Sequence, residues 1–299
     1  MRAVVVTAFG GPEVVEVVET AVPEPGAGQV RIKVAASALN PVDAGVRQGV
    51  FGGAGERLGL GWDIAGTVDA VGDGGEGPWG AGDSVVALAV GPVKALGAHA
   101  EYVVVDAGAV AAAPRTVDLV HAATLPLNAL AAEQALELLE LAPGQSLLVT
   151  GASGAVGGFA IQLAARRGVS VTGLARAWDE EFVRSLGAAD FVSGGLGEGR
   201  RFDAVLDAAV LGEAALEGVR DGGVYVGAIP GANPASVRGV RTTAIGVIAD
   251  GARLAELVRL VDEGVLTLRV AETYALDEAS KAHARLAEGG VRGRLVLVP

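Results

Sequence analysis

The apolar positions of this chain fall into three stretches of different rhythm. From Met1 to about Pro114, short β-favouring runs are separated by polar, proline and glycine clusters. They predict strands at Ala3–Thr7, Val14–Val18, Val30–Ala36, Gly66–Val71, Ser84–Ala89 and Tyr102–Val105. From about Val117 to Gly264, strand-like runs alternate with helical stretches, the pattern of a parallel sheet with right-handed crossovers. Here Leu147–Thr150, Ser170–Leu174, Ala204–Asp207 and Gly223–Gly227 read as strands, and Gly157–Arg167 and Asp179–Leu186 as helices. Past Leu266 the pattern returns to strand, helix and strand, ending in Arg294–Val298, and this tail is assigned to the first lobe. The expected fold is therefore α/β: a mostly β domain from residues 1–118 and 265–299, and a doubly wound parallel-sheet domain from residues 119–264.

Composition narrows what such a fold does. Hydrophobic residues make up 51% of the 299 positions and charged residues 19%, enough apolar surface to offset the entropy of ordering the chain. The 46 glycines follow no three-residue period and cluster between apolar runs, where tight turns are needed. A net charge of -12 repels phosphate backbones and anionic membrane surfaces, so no nucleic-acid partner and no membrane association are expected. The absence of cysteine excludes disulfides, thiolate catalysis and cysteine-ligated metals, leaving redox chemistry to a bound cofactor. The amino terminus enters a strand at once and resembles no secretion signal, and apolar runs such as Ala244–Ala249 are too short to cross a bilayer, which points to a cytoplasmic protein.

The strongest local signal is a glycine-rich turn. The strand Leu147–Thr150 runs into Gly151-Ala152-Ser153-Gly154-Ala155-Val156-Gly157-Gly158 and then into a helix. Ser153, Gly154, Ala155, Val156 and Gly157 are the candidate pyrophosphate-binding residues, because glycine lets the backbone approach and the first amides of the helix donate to an anion. Ala152 stands where the usual first glycine would be, giving Ala-x-Gly-x-x-Gly. The next strand ends in Ala175-Arg176, with no carboxylate to receive ribose hydroxyls. Arg176 either clamps the 2′-phosphate of NADP or is a surface arginine paired with Asp179 or Glu180; the first reading makes the cofactor NADPH. Ala208, Gly227, Ala228 and Ile229 follow later strands of the same domain and are expected to line the cofactor through their backbone.

Several further segments occur in a telling order: Ala38-Leu39-Asn40-Pro41-Val42-Asp43, Arg47-Gln48-Gly49, Gly61-Trp62-Asp63-Ile64-Ala65-Gly66, Gly82-Asp83-Ser84-Val85, Ala122–Leu127, the glycine turn, and Gly293–Leu297. In this order and spacing, over nearly the whole chain, the sequence resembles the quinone oxidoreductases of the medium-chain dehydrogenase/reductase superfamily. The resemblance implies a chaperonin-10-like (GroES-like) catalytic domain, a Rossmann cofactor domain and a cleft between them. Zinc-containing members carry a cysteine at or near Asn40 and a His-Glu pair where this chain has Trp62-Asp63. His99, His121 and His283 are scattered without metal-ligand spacing, so no metal is expected.

Without a metal, the implied reaction is zinc-independent hydride transfer from NADPH to a quinone or an α,β-unsaturated carbonyl, whose conjugation spreads the developing charge. Asn40 matches the family's asparagine beside the nicotinamide and is the candidate catalytic donor to the oxyanion. Asp43 is either catalytic or a turn-fixing residue. Phe51 stands near a common family tyrosine and Ala131 replaces a common threonine, so Phe51, Trp62 and Asn128 are the expected residues of the substrate cleft. Trp62 is alternatively a packing anchor, and Asn128 a helix cap. Two other readings remain: reduction of a thioester-linked enoyl group in a biosynthetic pathway, and a non-catalytic NADPH-binding regulator. The apolar run Ala244–Ala249 lies where the family pairs edge strands between subunits, which implies a homodimer.

Overall fold

A computed structural model describes residues 1–73, 77–197 and 199–299. In chain order its first elements are β1 (Arg2–Val6), β2 (Val15–Glu19), β3 (Gln29–Leu39), α1 (Pro41–Arg47), β4 (Leu58–Gly59), β5 (Asp63–Val71), β6 (Ser84–Leu88), β7 (Tyr102–Asp106), β8 (Val110–Ala112), α2 (Leu119–Ala122) and α3 (Pro126–Leu139). There follow β9 (Ser146–Thr150), α4 (Ala155–Arg166), β10 (Ser170–Leu174), α5 (Glu180–Ser185), β11 (Asp190–Val192), β12 (Phe202–Asp207), α6 (Glu213–Leu216), β13 (Val219–Gly227) and β14 (Arg241–Ala244). The chain ends with α7 (Gly251–Asp262), β15 (Val270–Ala275), α8 (Ala279–Glu288) and β16 (Arg294–Val298). These elements form two units, Met1–Leu127 with Ile248–Pro299, and Asn128–Val247.

The first unit is built mostly on antiparallel pairing, with β15 and β16 parallel. The long strand β3 lies between β16 and β5, also pairs with β7, and belongs to the sheet β15-β16-β3-β5-β6-β8; a second sheet runs β2-β1-β4. Along β3, Val30, Ile32 and Val34 alternate with Arg31 and Lys33, and the apolar set meets Ile64, Val68, Val85, Val103 and Val110 in one core. Such period-two alternation is what a sheet with one dry face requires. A second core gathers Val4, Val6, Leu39, Leu58, Leu60, Leu276, Leu295 and Leu297. Helix α7, which the sequence pattern grouped with the alternating lobe, belongs to this first unit and packs on β8. Its buried Leu254, Leu257, Val258 and Val261 recur at helical spacing, and Gly251 leaves room for the backbone of Val110, which a Cβ there would strike. The helix periodicity was visible in the sequence, but its partner was not.

The second unit is one parallel sheet in the order β11-β10-β9-β12-β13-β14. Numbered within the sheet, the strands run 3-2-1-4-5-6, so the direction of winding reverses between β9 and β12. Leu147, Leu148, Val149 and Thr150 of β9 are all buried, as expected of a central parallel strand covered on both faces. Strand β14 covers only the first residue of the run Ala244–Ala249; the five that follow are not in a strand.

Candidate functional site

In the second unit the expected phosphate turn lies at the carboxyl end of β9, beside the reversal point where doubly wound sheets bind their ligands. Gly151 adopts φ +60°, and its carbonyl accepts from Gly154 N at 2.8 Å, closing the turn. A Cβ on Gly157 would run into the Gly151 carbonyl oxygen, so the first turn of α4 approaches the loop as only glycine permits. Ala152 does not spoil the turn. Its backbone N–H donates to Leu174 O at 3.1 Å, and its buried methyl is accommodated because residue 173 is glycine. The N–H groups of Ala155, Val156 and Gly157 open α4 and have no preceding helical carbonyl to bond. They add to the positive end of a twelve-residue helix dipole, a setting that fits the pyrophosphate of a dinucleotide.

Beside this turn, the segment after β10 carries Arg176. Arg176 is exposed and in no ion pair among the described residues; its guanidinium lies 5.7 Å from the Trp178 ring centroid. Both acids that might have neutralised it are engaged elsewhere. Asp179 is buried and accepts from Ser153 Oγ at 3.1 Å, while Glu180 pairs with Arg184 at 2.8 Å.

A network that sequence reasoning missed lies at the ends of β9, β12 and β13. Thr150 Oγ1 donates to Asp207 Oδ1 at 2.6 Å, and Tyr225 OH donates to Asp207 Oδ2 at 2.7 Å. Gly212 N also donates to Asp207 Oδ2, and Ala209 N donates to Thr150 Oγ1. Burial and then the Asp207 contact raise the Tyr225 pKa, keeping the phenol protonated as a donor. The network fixes the backbone immediately after β12, where Ala208 sits half-buried. At the end of β13, Gly227 is buried, Ala228 half-buried and Ile229 exposed. The signal available in sequence was a threonine and an aspartate closing two otherwise apolar strands.

The first unit holds a buried polar cluster. Asn40 N-caps α1 in a capping box: its backbone N–H donates to Asp43 Oδ2 at 2.8 Å, and Pro41 occupies the first turn. Asp43 Oδ1 accepts from Gly61 N at 2.8 Å, so Asp43 ties the start of α1 to the segment before β5. This is the turn-fixing role, extended over a long range. Asn40 Nδ2 donates to Asp63 Oδ2 at 2.6 Å and to Ala38 O at 3.3 Å, and Asn40 Oδ1 accepts from Arg294 Nη2 at 2.7 Å. Both hydrogens of the amide nitrogen are thus used within the unit, so this geometry does not supply the expected oxyanion donor. The reason is the fully buried Asp63 carboxylate, which needs them.

Asp63 also accepts from Leu127 N at 2.6 Å, in the first turn of α3. Burial pushes the Asp63 pKa up to about 7, against the opposing pull of the Leu127 N–H, the Asn40 amide and Arg294. Arg294 also donates to Leu39 O. Trp62 is buried beneath Lys94, whose Nζ lies 5.1 Å from the ring centroid and donates to Ala89 O at 2.7 Å. Burial lowers the Lys94 pKa to about 8. Phe51 is 43% exposed and rests against Gly45 of α1. Asn128, in the second unit, is buried in the first turn of α3. His99 and His283 are buried, His121 pairs with Asp118, and no group of three or more His, Asp or Glu residues among the described residues is arranged to hold a metal.

A glycine turn at the reversal point of a 3-2-1-4-5-6 sheet, in a chain that also carries an antiparallel β domain, defines a nicotinamide-dependent oxidoreductase of two domains. Comparison with known proteins takes this further. Residues 26–115 match the alcohol dehydrogenase GroES-like domain, and residues 178–297 match the zinc-binding dehydrogenase family. The chain is 31% identical to a quinone oxidoreductase of Pseudomonas aeruginosa over 98% of each chain. It is 36% identical to the NADPH-dependent alkenal/one oxidoreductase of Arabidopsis thaliana chloroplasts, over 81% of this chain and 66% of that one. The structure of a quinone oxidoreductase from Coxiella burnetii superposes with a TM-score of 0.87 at 28% identity, covering 100% of this chain and 99% of the other. The chain belongs to the medium-chain dehydrogenase/reductase superfamily, within its quinone oxidoreductase-like family.

Proposed function

We propose that this protein is a zinc-independent reductase that takes NADPH as its hydride source and a quinone or α,β-unsaturated carbonyl compound as its small-molecule acceptor. The observation that carries the cofactor half is the Arg176 guanidinium, exposed and in no ion pair among the described residues, beside a glycine turn that opens a helix. The name of the NADPH-dependent alkenal/one relative supports both halves. The residues standing where zinc-containing members hold their ligands, Asn40 and Trp62-Asp63, support the absence of a metal: amide and indole are poor zinc ligands, and the Asp63 carboxylate is already engaged by Leu127 N and Asn40.

When bound, NADPH supplies a hydride to the electron-poor carbon of the acceptor. The protein's own work is binding and positioning. The opening amides of α4 hold the pyrophosphate, Arg176 holds the 2′-phosphate, and the Thr150–Asp207–Tyr225 network holds the backbone around Ala208 in place for cofactor contact. In this reading Asn40 is a positioning residue, fixing the start of α1 and its surroundings through Asp63 and Arg294. The same reading makes the protein a homodimer through β14, an edge of the six-stranded sheet; a monomer by light scattering at micromolar concentration would defeat that part.

The test is loss of NADPH absorbance with quinones, enones, aldehydes and alcohols, run beside NADH and with chelator present. Chelator-insensitive, NADPH-preferring reduction of quinones or enones is expected. Equal use of NADH, or a requirement for added zinc, would overturn the corresponding half.

A further inference from the structure

We propose that Trp178 is part of the cofactor site. With Arg176 it forms a stacked platform that selects the 2′-phosphoadenosine end of the dinucleotide. This inference rests on the NADPH reading above and adds to it a specificity-determining side chain.

The placement follows from the backbone. Strand β10 ends at Leu174, in register with Thr150 of β9, and Leu174 O accepts from Ala152 N, so residues 175–178 leave the sheet alongside the glycine turn. A second tie closes the far end of the segment: Ser153, within the turn, donates its hydroxyl to the buried Asp179 carboxylate at 3.1 Å. Arg176 and Trp178 are therefore held between two anchors on the phosphate turn.

Their chemistry is complementary to one ligand. Trp178 is 68% exposed, a large aromatic ring at the edge of the glycine turn. Arg176 lies over that ring at 5.7 Å, in no ion pair among the described residues. Stacking uses the face of a guanidinium and leaves its in-plane N–H groups for a phosphate, which they grip bidentately. The same flat surface offers a purine base an aromatic partner. A 2′-phosphoadenosine presents both groups together, whereas an unphosphorylated adenosine presents only the base. The acid that follows on this segment, Asp179, is buried and engaged with Ser153.

The experiment uses the full-length protein and two probes, 2′,5′-ADP and 5′-AMP, with calorimetry and tryptophan emission as readouts. The chain has three tryptophans, so the Trp178 contribution is taken as the difference between wild type and Trp178→Phe. We expect 2′,5′-ADP to quench that component, and Trp178→Ala to weaken 2′,5′-ADP binding about three- to tenfold, through loss of both the base stack and the hold on Arg176, and 5′-AMP by the smaller part that the base stack alone contributes. Trp178→Phe should retain most of the affinity. Wild type that binds 2′,5′-ADP without change in the Trp178 emission, together with unaltered affinity in Trp178→Ala, would overturn the inference and leave the NADPH reading standing. Wild type that binds neither NADPH nor 2′,5′-ADP would overturn both. Because Trp178 is exposed, both variants are expected to fold, which matched circular dichroism spectra would verify.

Discussion

The polar groups around Asn40 and those around the glycine turn are similar in kind and opposite in use. In the first unit Asn40, Asp43, Asp63 and Arg294 are directed at one another and at backbone groups. In the second, the amides of Ala155–Gly157 open a helix and Arg176 stands exposed beside them. Removing a charge from water is costly unless its bonds are replaced, so the first arrangement has become architecture. The second, on the proposed reading, keeps its donors for a cofactor. A residue's chemical type therefore did not decide between structure and recognition; burial and available partners did.

The largest break in this comparison is Asp63→Leu, which leaves Leu127 N, the Asn40 amide and Arg294 without their buried acceptor or counter-charge. A loss of about 3–5 kcal/mol is expected, read as a lower denaturant midpoint. A near-normal midpoint would show that the cluster is not architectural. Gly157→Ala attacks the other region, driving a methyl into the Gly151 carbonyl so that the turn must shift; NADPH affinity should fall more than about tenfold, and the midpoint should fall by less than in Asp63→Leu. Arg176→Ala removes charge-assisted hydrogen bonds from the proposed 2′-phosphate contact, a loss of about 10–100-fold in NADPH affinity with NADH nearly unchanged. Calorimetric titration of both nucleotides checks the last two, and a parallel loss for NADH would sink the specificity reading.

Acid sharpens the contrast within the first unit. His283 is 1% exposed, neither ring nitrogen has a hydrogen-bond partner, and burial lowers its pKa from 6.5 to about 3. The unfolded chain therefore binds a proton that the folded chain refuses. Stability is full above about pH 6.5 and declines as pH falls towards about 3, by about 2 kcal/mol at pH 5. His283→Leu should flatten that slope, and an unchanged slope would assign it to other groups. The smallest effect is expected for Ser153→Ala. Loss of its bond to Asp179 should reduce NADPH affinity by no more than about tenfold, the equivalent of one ordinary hydrogen bond.

Much of the fold was legible because strong periodicity survives without knowledge of partners. The sequence pattern gives strands β10 and β16 the bounds they have, and β9 and α4 within two residues, since each is an apolar run or a helix opened by a glycine turn. Helix α1 was not read, although Asn40, Pro41 and Asp43 spell a cap, a first-turn proline and a capping acid. The short strands β4, β11 and β14 were also missed, because two to four residues carry too little pattern and become strands only when a neighbour supplies hydrogen bonds. At the candidate site, the glycine turn between β9 and α4 and the exposed position of Arg176 after β10 were legible. The engagement of Asn40 was not, because Asp63 and Arg294 lie 23 and 254 positions away.

By itself, then, the sequence determined the family, the parallel sheet, the position of the glycine turn and the absence of cysteine, all of which are written in local pattern and residue type. Only the tertiary structure decided that α7 packs with the β unit, that Asn40 serves a buried carboxylate, and that Arg176 lies against Trp178 and not against Asp179 or Glu180. Those outcomes depend on which distant groups share a dry interior and which are left to water, and burial is set by the packing of the whole chain.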